Sequence, residues 1–139
     1  MPIHEAAARG FQQASEAYER GRPTYPPEAI ARLVTALGIG PHSTVVDLAA
    51  GTGKLTRQLV PSGARLIAVE PVEAMRATFA RVLPGVTILE GTAEALPLPD
   101  ASAEALVVGQ AFHWFDGPAA LAEIHWVLRP GIVNLTQVE

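Results

Sequence analysis

No stretch restricts this chain more than Val45-Val46-Asp47-Leu48-Ala49-Ala50-Gly51-Thr52-Gly53. Val45 and Val46 are β-branched and follow a Pro41-His42-Ser43-Thr44 turn. They predict a buried parallel strand. The strand then runs into five small residues, Ala49 to Gly53, which let a ligand approach backbone N–H groups closely. Leu55, Leu59 and Val60 in the next segment have the spacing of one helix face. Strand, tight loop and helix together predict a nucleotide-binding corner.

Three kinds of corner compete. A phosphate-cradling loop needs Gly, four residues, Gly-Lys, then Ser or Thr. Gly53-Lys54 fits its middle, but the first position is Leu48 and Leu55 follows the lysine. A dinucleotide loop, G-x-G-x-x-G, would use Gly51 and Gly53 and then meets Thr56 instead of its third glycine. The third kind is an adenosyl pocket, which holds no pyrophosphate and sets an acidic residue, here Asp47, beside the small-residue loop. The plain alternative is a tight turn in an ordinary α/β domain.

The rest of the chain narrows the choice. Its 139 residues suit one domain, and 49% hydrophobic content can bury a core. Ten basic against 14 acidic residues, formal charge −4, give no electrostatic footprint for nucleic acid. With no cysteine there is no disulfide framework, and the four scattered histidines make no metal-ligand spacing. No apolar run has the length of a membrane span, and Met1-Pro2-Ile3-His4-Glu5 is no signal sequence. A soluble, cytoplasmic chain is the expectation.

Along the chain, Phe11, Ala14 and Tyr18 predict a helix over 5–19. Gly21 stops it, and Arg22-Pro23-Thr24-Tyr25-Pro26-Pro27 is a stiff link. Pro27 opens a second helix as its first residue, with Ile30, Leu33, Val34 and Leu37 inward and Gly38 at its end. After the corner come a strand over 65–69, a helix opened by Pro71 with Met75 and Phe79 inward, and a strand over 86–89. Residues 91–100 form a loop, with room for one short helical turn. A strand over 105–109, a helix over 118–128 and a short strand over 132–135 follow. Strands alternating with helices predict a doubly wound, mainly parallel α/β sheet of the Rossmann-like kind. Residues 1–26 are expected as a helix and lid, and 27–139 as the cofactor-binding domain.

Glu70 is the sharpest single residue. It ends the strand after the glycine loop, 17 residues beyond Gly53. Ligands of doubly wound sheets sit outside the carboxyl ends of the strands. A carboxylate there can accept hydrogen bonds from both ribose hydroxyls. The alternative is an exposed residue before a helix.

Five segments in order and spacing carry a resemblance: Asp47 to Gly53, Ala68-Val69-Glu70-Pro71, Gly91 to Pro97, Phe112-His113-Trp114-Phe115 and Leu128-Arg129-Pro130-Gly131. Together they resemble the class I S-adenosylmethionine-dependent methyltransferases, in the branch labelled methyltransferase type 11 or ubiquinone/menaquinone-biosynthesis-like. Tyr18 to Pro26 is similar to that branch's N-terminal segment. The resemblance spans about residues 11–131 and implies S-adenosyl-L-methionine as cofactor and a small molecule as methyl acceptor. It implies that Asp47, Ala49, Gly51 and Gly53 surround the methionine part, that Glu70 holds the ribose and that Met75 packs against adenine. Tyr18, Arg22 and Tyr25 would close over the cofactor, with Arg22 facing its carboxylate. Many relatives carry an acidic residue at position 92 for the adenine amino group. Thr92 stands there, which moves that contact toward Ala93 and Glu94. Ala49 replaces a usual glycine and is expected to keep a negative φ. Gln110 and His113 follow the fourth strand, where the methyl would point. His113 is the candidate general base; if proximity and orientation suffice, His113 and Trp114 only pack the loop. No metal is implied.

The pattern breaks near the end. Family members continue into a helix and an antiparallel pair that complete seven strands. This sequence reads Ile132 to Glu139 and implies strand order 3-2-1-4-5 without the last two strands. The expectation is a C-terminally truncated cofactor half whose exposed sheet edge either pairs with a second copy, as a homodimer, or is covered by a fold-back of the C-terminal segment in a marginally stable domain. The competing functions are a catalytically silent binding fragment and an NAD-dependent oxidoreductase.

Overall fold

The computed structural model describes residues 24–109 and 115–129, and the backbone of Leu135–Gln137. The expected first helix, Tyr18, Arg22, Gln110 and His113 lie outside the described residues. In chain order the elements are α1 (Pro27–Leu37), β1 (Thr44–Leu48), α2 (Lys54–Leu59), a 3₁₀ turn (Val60–Ser62), β2 (Arg65–Val69), α3 (Glu73–Val82), β3 (Thr87–Leu89), β4 (Ala105–Val108), α4 (Gly117–Val127) and β5 (Leu135–Gln137). The strands form one sheet in the order β3-β2-β1-β4-β5, every pair parallel. That is the doubly wound arrangement and strand order expected from the sequence.

β1 and β4 lie at the centre and are buried on both faces, so nearly every position is apolar. Side chains alternate across the sheet. Val45, Ala105 and Val107 join Ile30, Leu33, Leu55 and Leu59 of α1 and α2 on one face. Val46, Leu48, Leu106 and Val108 join Ala120, Ile124 and Val127 of α4 on the other. At the amino ends of the two strands, Glu104 Oε1 accepts from the Thr44 amide at 2.6 Å and Oε2 pairs with Arg129. Among the described residues no helix is long and apolar enough to cross a membrane.

Four local expectations are corrected. α3 begins at Glu73, not at Pro71, because Val72 is extended at φ −89° and ψ 120°. The Glu70 carboxylate takes the Val72 amide at 2.9 Å, and Arg76 Nη1 bonds the carbonyls of Glu70 and Pro71 at 3.0 and 2.8 Å. These bonds hold the turn open. Residues 91–100 contain no helical turn; a Thr92–Ala95 bridge closes the loop, and Pro97 and Pro99 supply no backbone donors. Val60 is 45% exposed, because the chain tightens into a 3₁₀ turn at Pro61 and leaves the buried stripe. The fifth strand runs Leu135–Gln137, later than expected, since its register sets Gln137 opposite Val108 at the end of β4.

Phe79 of α3 is completely buried. Phe79→Ala should cost about 3–5 kcal/mol, a large share of the roughly 5–15 kcal/mol that holds a domain together. Urea unfolding monitored by circular dichroism would measure it.

Candidate functional site

The strand order reverses between β1 and β4, and the loop Ala49–Gly53 leaves the carboxyl end of β1 beside that switch point. Two bonds tie the loop to β2: the Ala50 amide donates to the Val69 carbonyl at 3.1 Å, and the Gly51 amide donates to Glu70 Oε1 at 2.9 Å. Three of its five residues have positive φ: Ala49 at 55°, Gly51 at 61° and Gly53 at 92°. The expectation of a negative φ at Ala49 is therefore wrong. An alanine here holds a left-handed conformation that costs an L-residue about 1–2 kcal/mol. The bonds of Ala50 and Gly51, to the Val69 carbonyl and the Glu70 carboxylate, hold the loop immediately after this bend.

Gly53 is the N-cap of α2 and does more than line the loop. A Cβ built there would lie 2.9 Å from the Phe79 ring and 2.8 Å from Leu83 Cδ1. Its missing side chain lets α3 pack against the start of α2.

Asp47 is 2% exposed on β1 and accepts a hydrogen bond from the Thr56 hydroxyl of α2. The strand and the helix on either side of the loop are thereby joined. Thr56 stands where a dinucleotide loop has its third glycine, and its hydroxyl is committed to Asp47. The Thr52 hydroxyl is buried without a hydrogen-bond partner among the described residues.

Glu70 is 4% exposed, against the reading of a solvated residue before a helix. Its carboxylate bridges two backbone amides, Gly51 at Oε1 and Val72 at Oε2. Burial raises its pKa above the ordinary 4.5, opposed by the amides of Val72 and Gly51 and by the Arg76 guanidinium.

Met75 is 2% exposed and packed in the first turn of α3. Thr92 is half-buried, and its carbonyl accepts from the Ala95 amide at 3.2 Å. Ala93 is buried in the core cluster beneath α4. Glu94 Oε2 accepts from the Asp116 amide at 2.7 Å, and the Asp116 carboxylate caps α4 by accepting from Ala119 at 3.3 Å. Tyr25, expected over the cofactor, is 5% exposed in the cluster of α1 and α2. The structure thus gathers Asp47, Ala49, Gly51, Gly53 and Glu70 at one strand end, and sets Thr92, Ala93 and Glu94 on the loop between β3 and β4. Sequence reasoning missed Thr56 and Arg76. Thr56 and Arg76 each lie on the helix following a strand-end acid, which was the available signal. No group of His, Asp and Glu able to hold a metal occurs among the described residues.

This geometry is that of a family. The model of the methyltransferase domain matches residues 46–133, and the chain belongs to that family. An uncharacterised methyltransferase of Mycobacterium tuberculosis is 49% identical over 121 residues, covering 87% of this chain and 48% of the relative. A demethylmenaquinone methyltransferase of Mycolicibacterium paratuberculosis is 40% identical over 99 residues, covering 70% of this chain and 42% of the relative. The crystal structure of an S-adenosylmethionine-dependent methyltransferase from Thermotoga maritima superposes with a TM-score of 0.64 at 30% identity, covering 88% of this chain and 56% of that one. The chain spans about half the length of the curated relatives it matches.

Two measurements check the site. Gly53→Ala combines a left-handed φ with contact against a fixed ring and should cost about 2–4 kcal/mol. Gly85→Ala, where a Cβ meets nothing within 4 Å, should be close to neutral in the same denaturation assay. The second concerns pH. The folded state favours neutral Glu70, so its contribution to stability is fully present below the unfolded pKa. It is lost as pH rises through the raised folded value. The stability difference between wild type and Glu70→Ala should therefore shrink as pH rises above the ordinary carboxylate range. A difference that grows there would reverse the assignment.

Proposed function

We propose that this chain is an S-adenosyl-L-methionine-dependent methyltransferase, or the cofactor-binding portion of one, acting on a small molecule. The observation that carries the reading is the Glu70 carboxylate, locked across the Gly51 amide at the switch point. An ionised carboxylate has about four lone-pair positions, and Gly51 and Val72 use one on each oxygen. One position per oxygen remains, which matches the two hydroxyls of a ribose. The loop residues Ala49 and Gly51 bring backbone close to the same strand end without long side chains. These features fit an adenosyl cofactor.

In this reading Asp47, Ala49, Gly51 and Gly53 hold the methionine part, and Glu70 the ribose. Met75, Thr92, Ala93 and Glu94 bound the adenine side. Tyr18 and Arg22 would cover the cofactor, with Arg22 toward its carboxylate, Gln110 would bind it on the side where the methyl points, and His113 would serve the acceptor. The bound cofactor supplies an electrophilic methyl group on a sulfonium. The chain's own contribution is to hold that group in line with the acceptor, and orientation alone can provide much of the acceleration. The demethylmenaquinone enzyme among the relatives supports a small organic acceptor. The Thr56–Asp47 bond counts against a nicotinamide dinucleotide, because the turn of α2 that would need a third glycine is occupied by a committed hydroxyl.

Calorimetry separates these readings. Wild type should bind S-adenosylmethionine and S-adenosylhomocysteine and not NAD. Glu70→Ala should weaken either adenosyl ligand by about 1.5–3 kcal/mol, roughly 10- to 100-fold in Kd. Heat with NAD alone would move the chain to the oxidoreductases. An unchanged Kd in Glu70→Ala would remove the ribose role.

A further inference from the structure

Arg76 holds three consecutive carbonyls of one turn. Its backbone amide donates to Val72 at 3.0 Å, and its Nη1 donates to Pro71 at 2.8 Å and to Glu70 at 3.0 Å. The Glu70 carboxylate holds the same turn through the Val72 amide at 2.9 Å. Acid and base are thus fastened to one short stretch of backbone, residues 70–72. Two carbonyls on one nitrogen fix where the guanidinium stands.

The packing of α3 does not need this arrangement. Met75, Thr78 and Phe79 bury the helix, and Val72 is buried ahead of it. What the arrangement fixes is a positive charge near a buried acid. Burial works against the ionised Glu70 carboxyl, while the amides of Val72 and Gly51 and the Arg76 charge work for it. The other charged groups on the neighbouring elements are placed differently. Glu73 of α3 and Glu90 after β3 are exposed. Asp47 of β1 accepts from Thr56, and Lys54 opens α2 beyond the glycine loop. The loop itself carries no charged side chain between Ala49 and Gly53. The ionised form matters because of what the carboxylate still offers. Gly51 and Val72 take one position on each oxygen. An ionised carboxylate accepts at both remaining positions; a neutral one carries a hydrogen and accepts one hydroxyl fewer.

We propose that Arg76 is a positioning residue for ribose binding: by gripping the carbonyls of Glu70 and Pro71 it holds its charge beside the Glu70 carboxylate and keeps that carboxylate ready to accept two ribose hydroxyls. The inference rests on the adenosyl-cofactor reading given above. Arg76 acts through Glu70, and Glu70 makes the contact.

The test is the Kd of S-adenosylhomocysteine against pH, by calorimetry in the full chain. Titration of the ligand itself is common to every variant and cancels in their ratios. In wild type, affinity should rise with pH and level off once Glu70 is ionised. Arg76→Gln keeps an N–H donor and loses the charge. Below the break it should bind about tenfold more weakly than wild type. On the plateau the ratio should fall below about threefold, because Glu70 is ionised in both. Arg76→Lys keeps the charge, and its break should stay at the wild-type pH. Glu70→Gln cannot ionise, so adding Arg76→Gln to it should change Kd less than about twofold at every pH. Wild type that binds no S-adenosylhomocysteine overturns the cofactor reading and this inference with it. A Glu70→Gln protein that binds as well as wild type removes the ribose role and the inference together. Where both hold, Arg76→Gln that matches wild type, or is weaker by one factor at every pH, overturns the inference alone. So does a break in Arg76→Lys that moves as far as in Arg76→Gln. An Arg76→Gln protein that loses its circular dichroism spectrum makes Arg76 a general stabiliser and also overturns it.

Discussion

A buried carboxylate bound to two backbone amides organises this end of the sheet. Glu70 directly follows β2 with 4% of its surface exposed, and burial of an ionised group is costly unless hydrogen bonds replace the lost water. The amides of Gly51 and Val72 supply them. Each has a structural consequence. The Gly51 bond holds the loop after β1 against the end of β2, and the Val72 bond delays α3 by keeping that residue extended. Arg76 closes the arrangement from the first turn of α3 by bonding two carbonyls of the same turn. The site is thus assembled from loop backbone, and the acid is what aligns it.

A second acid does a different job one strand away. Asp47 points to the face of α1 and α2, where its neighbours on the strand alternate between two apolar clusters. A carboxylate in that row interrupts the core, and the Thr56 hydroxyl compensates it from the helix above. The two acids hold the two ends of one loop: Asp47 fixes the helix that leaves it, and Glu70 fixes the glycine inside it. Position and backbone geometry separate their roles, although both are buried and both lie at the carboxyl ends of neighbouring parallel strands.

Much of this was legible in the chain and some was not, for physical reasons. The strand–loop–helix corner, the parallel order and the inward faces of α1 and α3 follow from hydrophobic periodicity and small residues, which are local signals. The helix start after Glu70 was misplaced because Pro71 is a good first helical residue, while the bonds that oppose it come from Arg76 and from the acid itself. The shift of β5 reflects register with β4, a non-local quantity. At Ala49 the error was one of conformational preference. Alanine favours negative φ, and only the pull of Val69 and Glu70 on the next two amides overrides it. The bonds of the Gln58 carboxamide to the Tyr25 backbone were invisible because a polar residue on a short helix predicts a solvated face, and Tyr25 lies 33 residues away.

The strain at Ala49 and the desolvation of Glu70 point to the same place. A left-handed alanine costs about 1–2 kcal/mol, and burial of the Glu70 carboxyl disfavours its ionised form. Both occur within one loop and the strand end beside it, while the sheet beneath is packed almost wholly by apolar residues. A chain able to bury Val45, Val46, Leu106 and Val107 completely could have ended β2 with another apolar residue and closed the turn with an ordinary loop. Keeping a carboxylate and a bent backbone there makes sense when the carboxylate has a further partner to receive, because strain and buried charge persist where a site requires them. In the proposed reading, the ribose hydroxyls would take the lone pairs of Glu70 that Gly51 and Val72 leave.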